Sequence, residues 1–144
     1  MSEEVLTDLA PLAEKKGMAL NCAGDALVIG SDTLLYRLVF NLVENAIRYS
    51  RPDSAVNVSI CDNDSHVFLR VEDQGPGIPK QYRESIFQPF FRLDKSRSRA
   101  YGGAGLGLAL VWEIAALHGG TAEVETSSEN GTVMLVTLSK GATT

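Results

Sequence analysis

Cysteine is scarce in this 144-residue chain: Cys22 and Cys61 form no CxxC pair and have no histidine near them in sequence. That spacing argues against a disulfide framework or a thiolate metal site, and the expectation is two reduced thiols in a cytosolic core. Long apolar runs are also missing. The longest, Ala104 to Trp112, is broken by Gly105 and Gly107 and stops at Glu113, well short of the roughly 18 residues that span a bilayer. Positive charge is outnumbered: 13 Lys and Arg face 18 Asp and Glu, for a net charge of −5 and a pI near 5.0. A whole-domain nucleic-acid binder is excluded on that balance, and no nucleic-acid partner is expected. The acidic start, Met-Ser-Glu-Glu, lacks the basic-then-apolar order of a secretory signal. Neither an internal repeat nor a low-complexity tract occurs. What is present is ordinary globular composition, 44% hydrophobic and 22% charged, which fits one folded domain rather than disorder.

Hydrophobic periodicity orders the chain. Residues 3–17 carry Val5, Leu6, Leu9 and Leu12 but are interrupted by Pro11 and Gly17, so they read as an incomplete amphipathic lead-in or the tail of a preceding helix. Met18–Cys22 and Ala26–Ile29 alternate as short strands. Ser31 or Asp32 caps a helix to about Tyr49, with Leu34, Leu35, Leu38, Val39, Leu42, Val43, Ala46 and Ile47 on its apolar face. Ala55–Cys61 and His66–Glu72 are strands joined by Asp62-Asn63-Asp64-Ser65. A short helix is expected over Lys80–Phe87. Residues 88–104 lose periodicity, hold Arg92, Lys95, Arg97 and Arg99 against Asp94, and read as a lid or binding loop. Leu106–Leu117 is a helix apolar nearly all round, which predicts burial on more than one side. Thr121–Thr126 and Thr132–Ser139 close the domain as a hairpin.

Three features carry chemistry. Asn41, Glu44, Asn45 and Arg48 fall on one face of the long helix. Amides offer neutral oxygens to a hard cation and a guanidinium meets phosphate; a solvated helix face is the plainer reading. Asp73-Gln74-Gly75-Pro76-Gly77-Ile78 follows a strand directly. Its glycines admit close backbone approach to a flat ligand, and its carboxylate can accept from an exocyclic amine; a tight turn is the plainer reading. Gly103-Ala104-Gly105-Leu106-Gly107-Leu108 runs into a helix, where amide donors and the helix dipole favour anions. It fits neither the P-loop nor the dinucleotide-binding template.

In this order and spacing, the three features resemble sensor histidine kinases. Asn41–Ser50 is similar to the N box of that family, Asp73–Pro79 to the G1 box, Ile86–Arg92 to the F box, Gly103–Leu108 to the G2 box, and His118-Gly119-Gly120 to the turn after the last helix. The resemblance covers residues 18–140. It implies the Bergerat ATP-binding fold: an α/β two-layer sandwich of a mixed β-sheet with helices on one face. It divides the chain into a lead-in over 1–17 from a dimerisation domain or linker, an ATP-binding domain over 18–140 and a tail over 141–144. It implies that Asn45 binds Mg²⁺, Asn41 lies near metal and phosphates, Arg48 contacts phosphate and Tyr49 lies along ATP. Asp73 would accept from the adenine amine in a pocket lined by Gly75, Gly77 and Ile78. Phe90, Phe91 and Arg92 would begin the lid, with Arg97 as a phosphate contact. Gly103, Gly105, Leu106, Gly107 and Leu108 would close over the triphosphate.

The implied reaction is phosphoryl transfer to a histidine on a separate dimerisation domain, and onward to a response regulator. His66 and His118, the two histidines of the chain, lack the H-E-x-x-x-P setting of that acceptor and read as structural, so the chain alone should bind Mg-ATP without phosphorylating itself. The resemblance also implies a cytoplasmic domain of a membrane-anchored kinase, with no direct membrane contact by this segment. Ala104 departs from the family's usual Thr or Ser. Glu44 reads as solvated or paired with a partner domain rather than as a general base. Competing readings are a serine kinase or ATPase of the same fold, disfavoured because an amide at Asn41 cannot take a proton from water, and a nucleotide-responsive interaction module built on the Phe90-Phe91 segment.

Overall fold

The computed structural model describes residues 2–26, 30–89, 91 and 107–140. The elements are α1 (Ser2–Lys15), β1 (Ala19–Ala23), α2 (Asp32–Tyr49), β2 (Ala55–Asp62), β3 (His66–Asp73), α3 (Gly107–Leu117), β4 (Thr121–Ser128) and β5 (Gly131–Ser139). The strands form one sheet in the order β1-β2-β3-β5-β4. β1 runs parallel to β2 and the remaining pairs are antiparallel. The fold is therefore the expected mixed-sheet α/β sandwich.

Alternation explains the layering. Val56 and Val58 on β2, Leu69 and Val71 on β3, and Met134 and Val136 on β5 are buried at every second position, as a half-covered sheet requires. They meet the apolar face of α2, where Leu38, Leu42, Val43 and Ile47 are at most 1% exposed. Each such side chain contributes about 1.5–3 kcal/mol by leaving water. The opposite sheet face is polar. Asn21 bonds Asn57 at 2.9 Å, and Arg70 forms a two-pronged pair with Glu125 at 2.8 and 3.0 Å.

α2 starts where its cap residue dictates: the Ser31 side chain accepts from the Leu34 N–H at 3.2 Å. Its C-terminal end is held by Lys16, whose ammonium donates to the carbonyls of Ile47, Arg48 and Ser50 at 2.8, 3.1 and 2.7 Å. A cation there also complements the negative end of the helix dipole.

Several sequence expectations need correction. The lead-in is helical over Ser2–Lys15 and continues through Pro11, because Val5, Leu9 and Ala13 bury into the common core and packing outweighs the lost hydrogen bond. The helix ends at Lys15, and Gly17 just beyond it, with φ of +67°, suits a glycine C-terminal cap. Lys80–Phe87 forms two single 3-10 turns, Lys80–Tyr82 and Ser85–Phe87. Neither turn has a side-chain cap, and only Ile86 and Phe87 are buried. Of the strand expected over 26–29, Ala26 is irregular and 27–29 lie outside the described residues. α3 does not bury several sides: Ala109, Val111, Ile114 and Ala115 face the core, while Leu110, Trp112 and Leu117 are 40%, 49% and 72% exposed. Its apolar composition outruns the area that α2 and the sheet cover, and Trp112 instead rests against Phe87, ring centroids 5.7 Å apart. Both cysteines are free, but Cys61 is exposed because its β2 position points to the polar sheet face; Cys22 is half-buried.

Candidate functional site

The candidate site forms where the end of β3, the C-terminal half of α2 and the start of α3 converge. β3 delivers Asp73, 6% exposed, at its last position. The Asp73 Oδ1 accepts from the Gly75 N–H at 2.9 Å and from the Thr132 N–H at 3.2 Å. Both bonds fall on one oxygen, so Oδ2 remains as the acceptor for a ligand. Burial pushes the Asp73 carboxyl above its ordinary range; the two backbone donors pull it down without cancelling that effect, and Glu72 adds to the rise.

Gly75 and Gly77 fill the roles that their residue type suggests. A Cβ on Gly75 would stand 2.5 Å from the Tyr49 carbonyl oxygen, so the turn after β3 lies directly on the end of α2. Gly77 has φ +86°, and a Cβ there would meet the Ser128 carbonyl oxygen at 2.2 Å. Ile78 is half-buried and packs against the core. Its N–H donates to the Ser127 Oγ at 2.8 Å.

On α2 the polar stripe is not a solvated face. Asn41 is 8% exposed, and its Nδ2 is buried with no hydrogen-bond partner among the described residues. A buried amide left unpaired costs about 1–3 kcal/mol, which marks it as a group awaiting a partner. Gly107 sits over it: a Cβ on Gly107 would lie 4.0 Å from Cβ and Cγ of Asn41. Leu108 packs against the core. Asn45 is half-buried and Tyr49 is 40% exposed. Arg48 pairs with Glu44 at 3.4 Å, the two side chains 26% and 29% exposed. The i, i+4 spacing brings Glu44 and Arg48 together on one helix face.

Of the remaining expectations, Phe90, Arg92, Arg97, Gly103, Gly105 and Leu106 lie outside the described residues. Phe91 is half-buried, 5.7 Å from the Tyr82 ring. The histidines hold local structure. The Nε2 of His118 accepts from the Ser31 N–H at 3.3 Å while its Nδ1 bonds the Ile114 carbonyl at 2.7 Å. His66 bonds the Ser65 hydroxyl at 2.8 Å.

Sequence reasoning missed four supporting residues. Thr132 holds Asp73, Ser127 holds Ile78, Ser50 accepts from the Gln74 N–H at 3.2 Å, and Arg83 donates to the Ile78 and Ser127 carbonyls at 3.3 and 3.1 Å. Only the cross-strand register, which pairs Asp73 with Thr132, brings Thr132 to the site. The hairpin pattern marked Thr132 as a strand start without fixing its partner.

Among the described residues no cluster of three His, Cys, Asp or Glu side chains that could hold a metal ion exists. The side-chain oxygens of the α2 amides instead suit a hard cation that keeps water and phosphate oxygens as its other ligands, as Mg²⁺ does.

Comparison with known proteins agrees with this geometry. The family described as histidine kinase-, DNA gyrase B-, and HSP90-like ATPase matches residues 30–142. The sensor-like histidine kinase SenX3 of Mycobacterium tuberculosis is 43% identical over 111 residues, covering 77% of this chain and 27% of its own length. The sensor protein RstB of Escherichia coli is 48% identical over 98 residues, 68% of this chain and 22% of RstB. The chain thus spans about a quarter of the length of these curated relatives. Among solved structures, a mycobacterial sensor histidine kinase MprB superimposes with a TM-score of 0.80 at 31% identity, covering 98% of this chain and 95% of that one. A complex of histidine kinase ThkA with the response regulator TrrA matches with a TM-score of 0.77 at 26% identity, over 96% of this chain and 39% of that one. The chain belongs to the histidine kinase-, DNA gyrase B- and HSP90-like ATPase family, as a nucleotide-binding catalytic domain of the sensor histidine kinase kind.

Proposed function

We propose that this domain binds Mg-ATP between α2 and the segment that precedes α3, and directs its γ-phosphoryl group to a histidine on a separate dimerisation domain. The observation that carries the reading is the pairing of two incomplete groups: the Asp73 carboxylate with one oxygen unclaimed, and the buried Asn41 amide beside Gly107. Asp73 Oδ2 accepts from the adenine exocyclic amine, with Gly75, Gly77 and Ile78 lining the base pocket. Asn41, Asn45 and Arg48 face the phosphates, Asn45 as the metal ligand, Tyr49 lies along the nucleotide, and Gly107 and Leu108 join them from the start of α3. Phe90, Arg92, Arg97, Gly103, Gly105 and Leu106 complete the lid in this assignment.

Mg²⁺ when bound neutralises charge on the β- and γ-phosphates. The residues of this chain contribute positioning and electrostatics, which dominate phosphoryl transfer. Glu44 engages one nitrogen of the Arg48 guanidinium, and the other donors of that group are the ones assigned to phosphate. The partners are the phosphoacceptor domain and a response regulator; the ThkA–TrrA complex supports the latter. We assign residues 1–17 to the connection with the dimerisation domain, 18–140 to the catalytic domain and 141–144 to a tail. The domain acts in the cytoplasm as part of a membrane-anchored sensor. Among the described residues no helix is long and apolar enough to cross a membrane.

The test is incubation with γ-labelled Mg-ATP. The chain alone is expected to take up no acid-labile phosphate, and a histidine-bearing dimerisation domain added in trans is expected to become labelled. Stable label on the chain itself would contradict the assignment.

A further inference from the structure

The nucleotide reading gives Asp73 and the Gly77–Ile78 segment the two walls of the base pocket, and a hydrogen-bonded chain joins them. The Ser127 Oγ accepts from the Ile78 N–H at 2.8 Å and is hydrogen-bonded to the Thr132 Oγ1 at 2.7 Å. Thr132, 4% exposed, holds Asp73 through its own N–H. Arg83 ties the same residues a second time. Its Nε donates to the Ile78 carbonyl at 3.3 Å and its Nη2 to the Ser127 carbonyl at 3.1 Å. Ser127 reaches this position because β4 shifts register between Val124 and Thr126, and a bulge re-aims the residues that follow it.

We propose that Ser127 and Arg83 are positioning residues that fix the spacing between Ile78 and Asp73, and so determine how strongly the site prefers adenine over guanine. The inference rests on the Mg-ATP reading above. Adenine presents an amine donor where guanine presents a carbonyl acceptor, so a carboxylate held at a fixed distance accepts from the first and repels the second. If the opposite wall moves, the base tilts away from Asp73. The favourable contact is then lost for adenine while guanine, which lacked it, changes little. The effect is specific to the base, because no described bond of Ser127 or Arg83 reaches α2, where the phosphates are assigned.

The experiment is calorimetric titration of Mg-ATP and Mg-GTP into the full 144-residue chain and its Ser127→Ala, Ser127→Thr and Arg83→Gln variants. Loss of one buried hydrogen-bond partner weakens binding by about tenfold. Ser127→Ala is expected to weaken ATP by that factor with GTP nearly unchanged, so the ATP-over-GTP ratio shrinks by about tenfold. Ser127→Thr keeps the hydroxyl and is expected to restore the ratio. Arg83→Gln leaves the hydroxyl chain in place and is expected to shrink it by about threefold, which keeps the inference testable should Ser127→Ala fail to fold. An unchanged ratio in both Ser127→Ala and Arg83→Gln, or an equal loss for both nucleotides, overturns the inference while leaving the ATP site standing. Absence of ATP binding by the wild-type chain overturns the ATP reading itself.

Discussion

The two ends of the candidate site are built on different terms. At the base end the protein satisfies most of its own groups. Asp73 Oδ1 takes two backbone N–H bonds, Gly75 lies on the Tyr49 carbonyl, and Ile78 is bonded to Ser127 and Arg83. At the end proposed for the phosphates groups are left open: among the described residues the Asn41 Nδ2 is buried without a partner, and the Arg48 side chain is held by an i, i+4 pair with Glu44, a type of contact worth about 0.3–0.5 kcal/mol. The difference separates recognition from chemistry. A base can be recognised by a wall completed before binding, whereas phosphates and a metal ion must supply the partners that the second end lacks.

The comparison can be broken or sharpened by substitution. The largest effect is expected for Asp73→Asn, which places an amide donor or a neutral acceptor where the charged acceptor stood. Removing a hydrogen bond to a buried charged group costs up to about 3 kcal/mol, so ATP affinity measured by titration should fall about a hundredfold. A fall of less than threefold would show that the base end does not read adenine through this carboxylate. Next is Asn45→Ala. Its cost, about tenfold, should appear only in titrations containing Mg²⁺ and vanish with EDTA present; an equal loss in both buffers would remove Asn45 from the metal.

Asn41→Leu probes the open end directly. Leucine removes the orphaned amide at nearly constant volume, so thermal or urea unfolding should show a gain of about 1 kcal/mol in the free protein, together with weaker ATP binding. A loss of stability would mean that the amide is satisfied after all. The smallest effect is pH-dependent. The Asp73 pKa is raised on folding, so the folded chain binds this proton more tightly than the unfolded chain does. The stabilisation that protonation gives is complete below the ordinary aspartate value of about 4 and is lost as pH rises through the folded value. The unfolding midpoint of Asp73→Asn relative to wild type, both without ligand, should therefore rise from acid to neutral pH; a falling difference would contradict the sign.

Sequence made the same contrast partly visible. Asp73 with its flanking glycines, and the amide pair at i and i+4, were legible because backbone conformation and helical spacing are local properties. The Ser31 cap and the five strands described above followed from alternation and capping chemistry in the same way. Thr132, Ser127 and Arg83 were not legible, because they reach the site through the β3–β5 register, the β4 bulge and a turn between two 3-10 segments. None of these has a sequence period. The continuation of α1 through Pro11 was hidden for a related reason: the burial of Val5, Leu9 and Ala13 against the rest of the core outweighs a local breaker, and that core forms only in the folded chain. The exposure of Leu110, Trp112 and Leu117 was missed because composition reports what a helix can bury, not how much surface is available to cover it.

The most direct test is isothermal titration of the wild-type chain and Asp73→Asn with ATP, each with Mg²⁺ and with EDTA. The account predicts one site in the wild type, strengthened by Mg²⁺ and nearly abolished by the substitution. No heat in the wild type, or equal binding by both proteins, would contradict it.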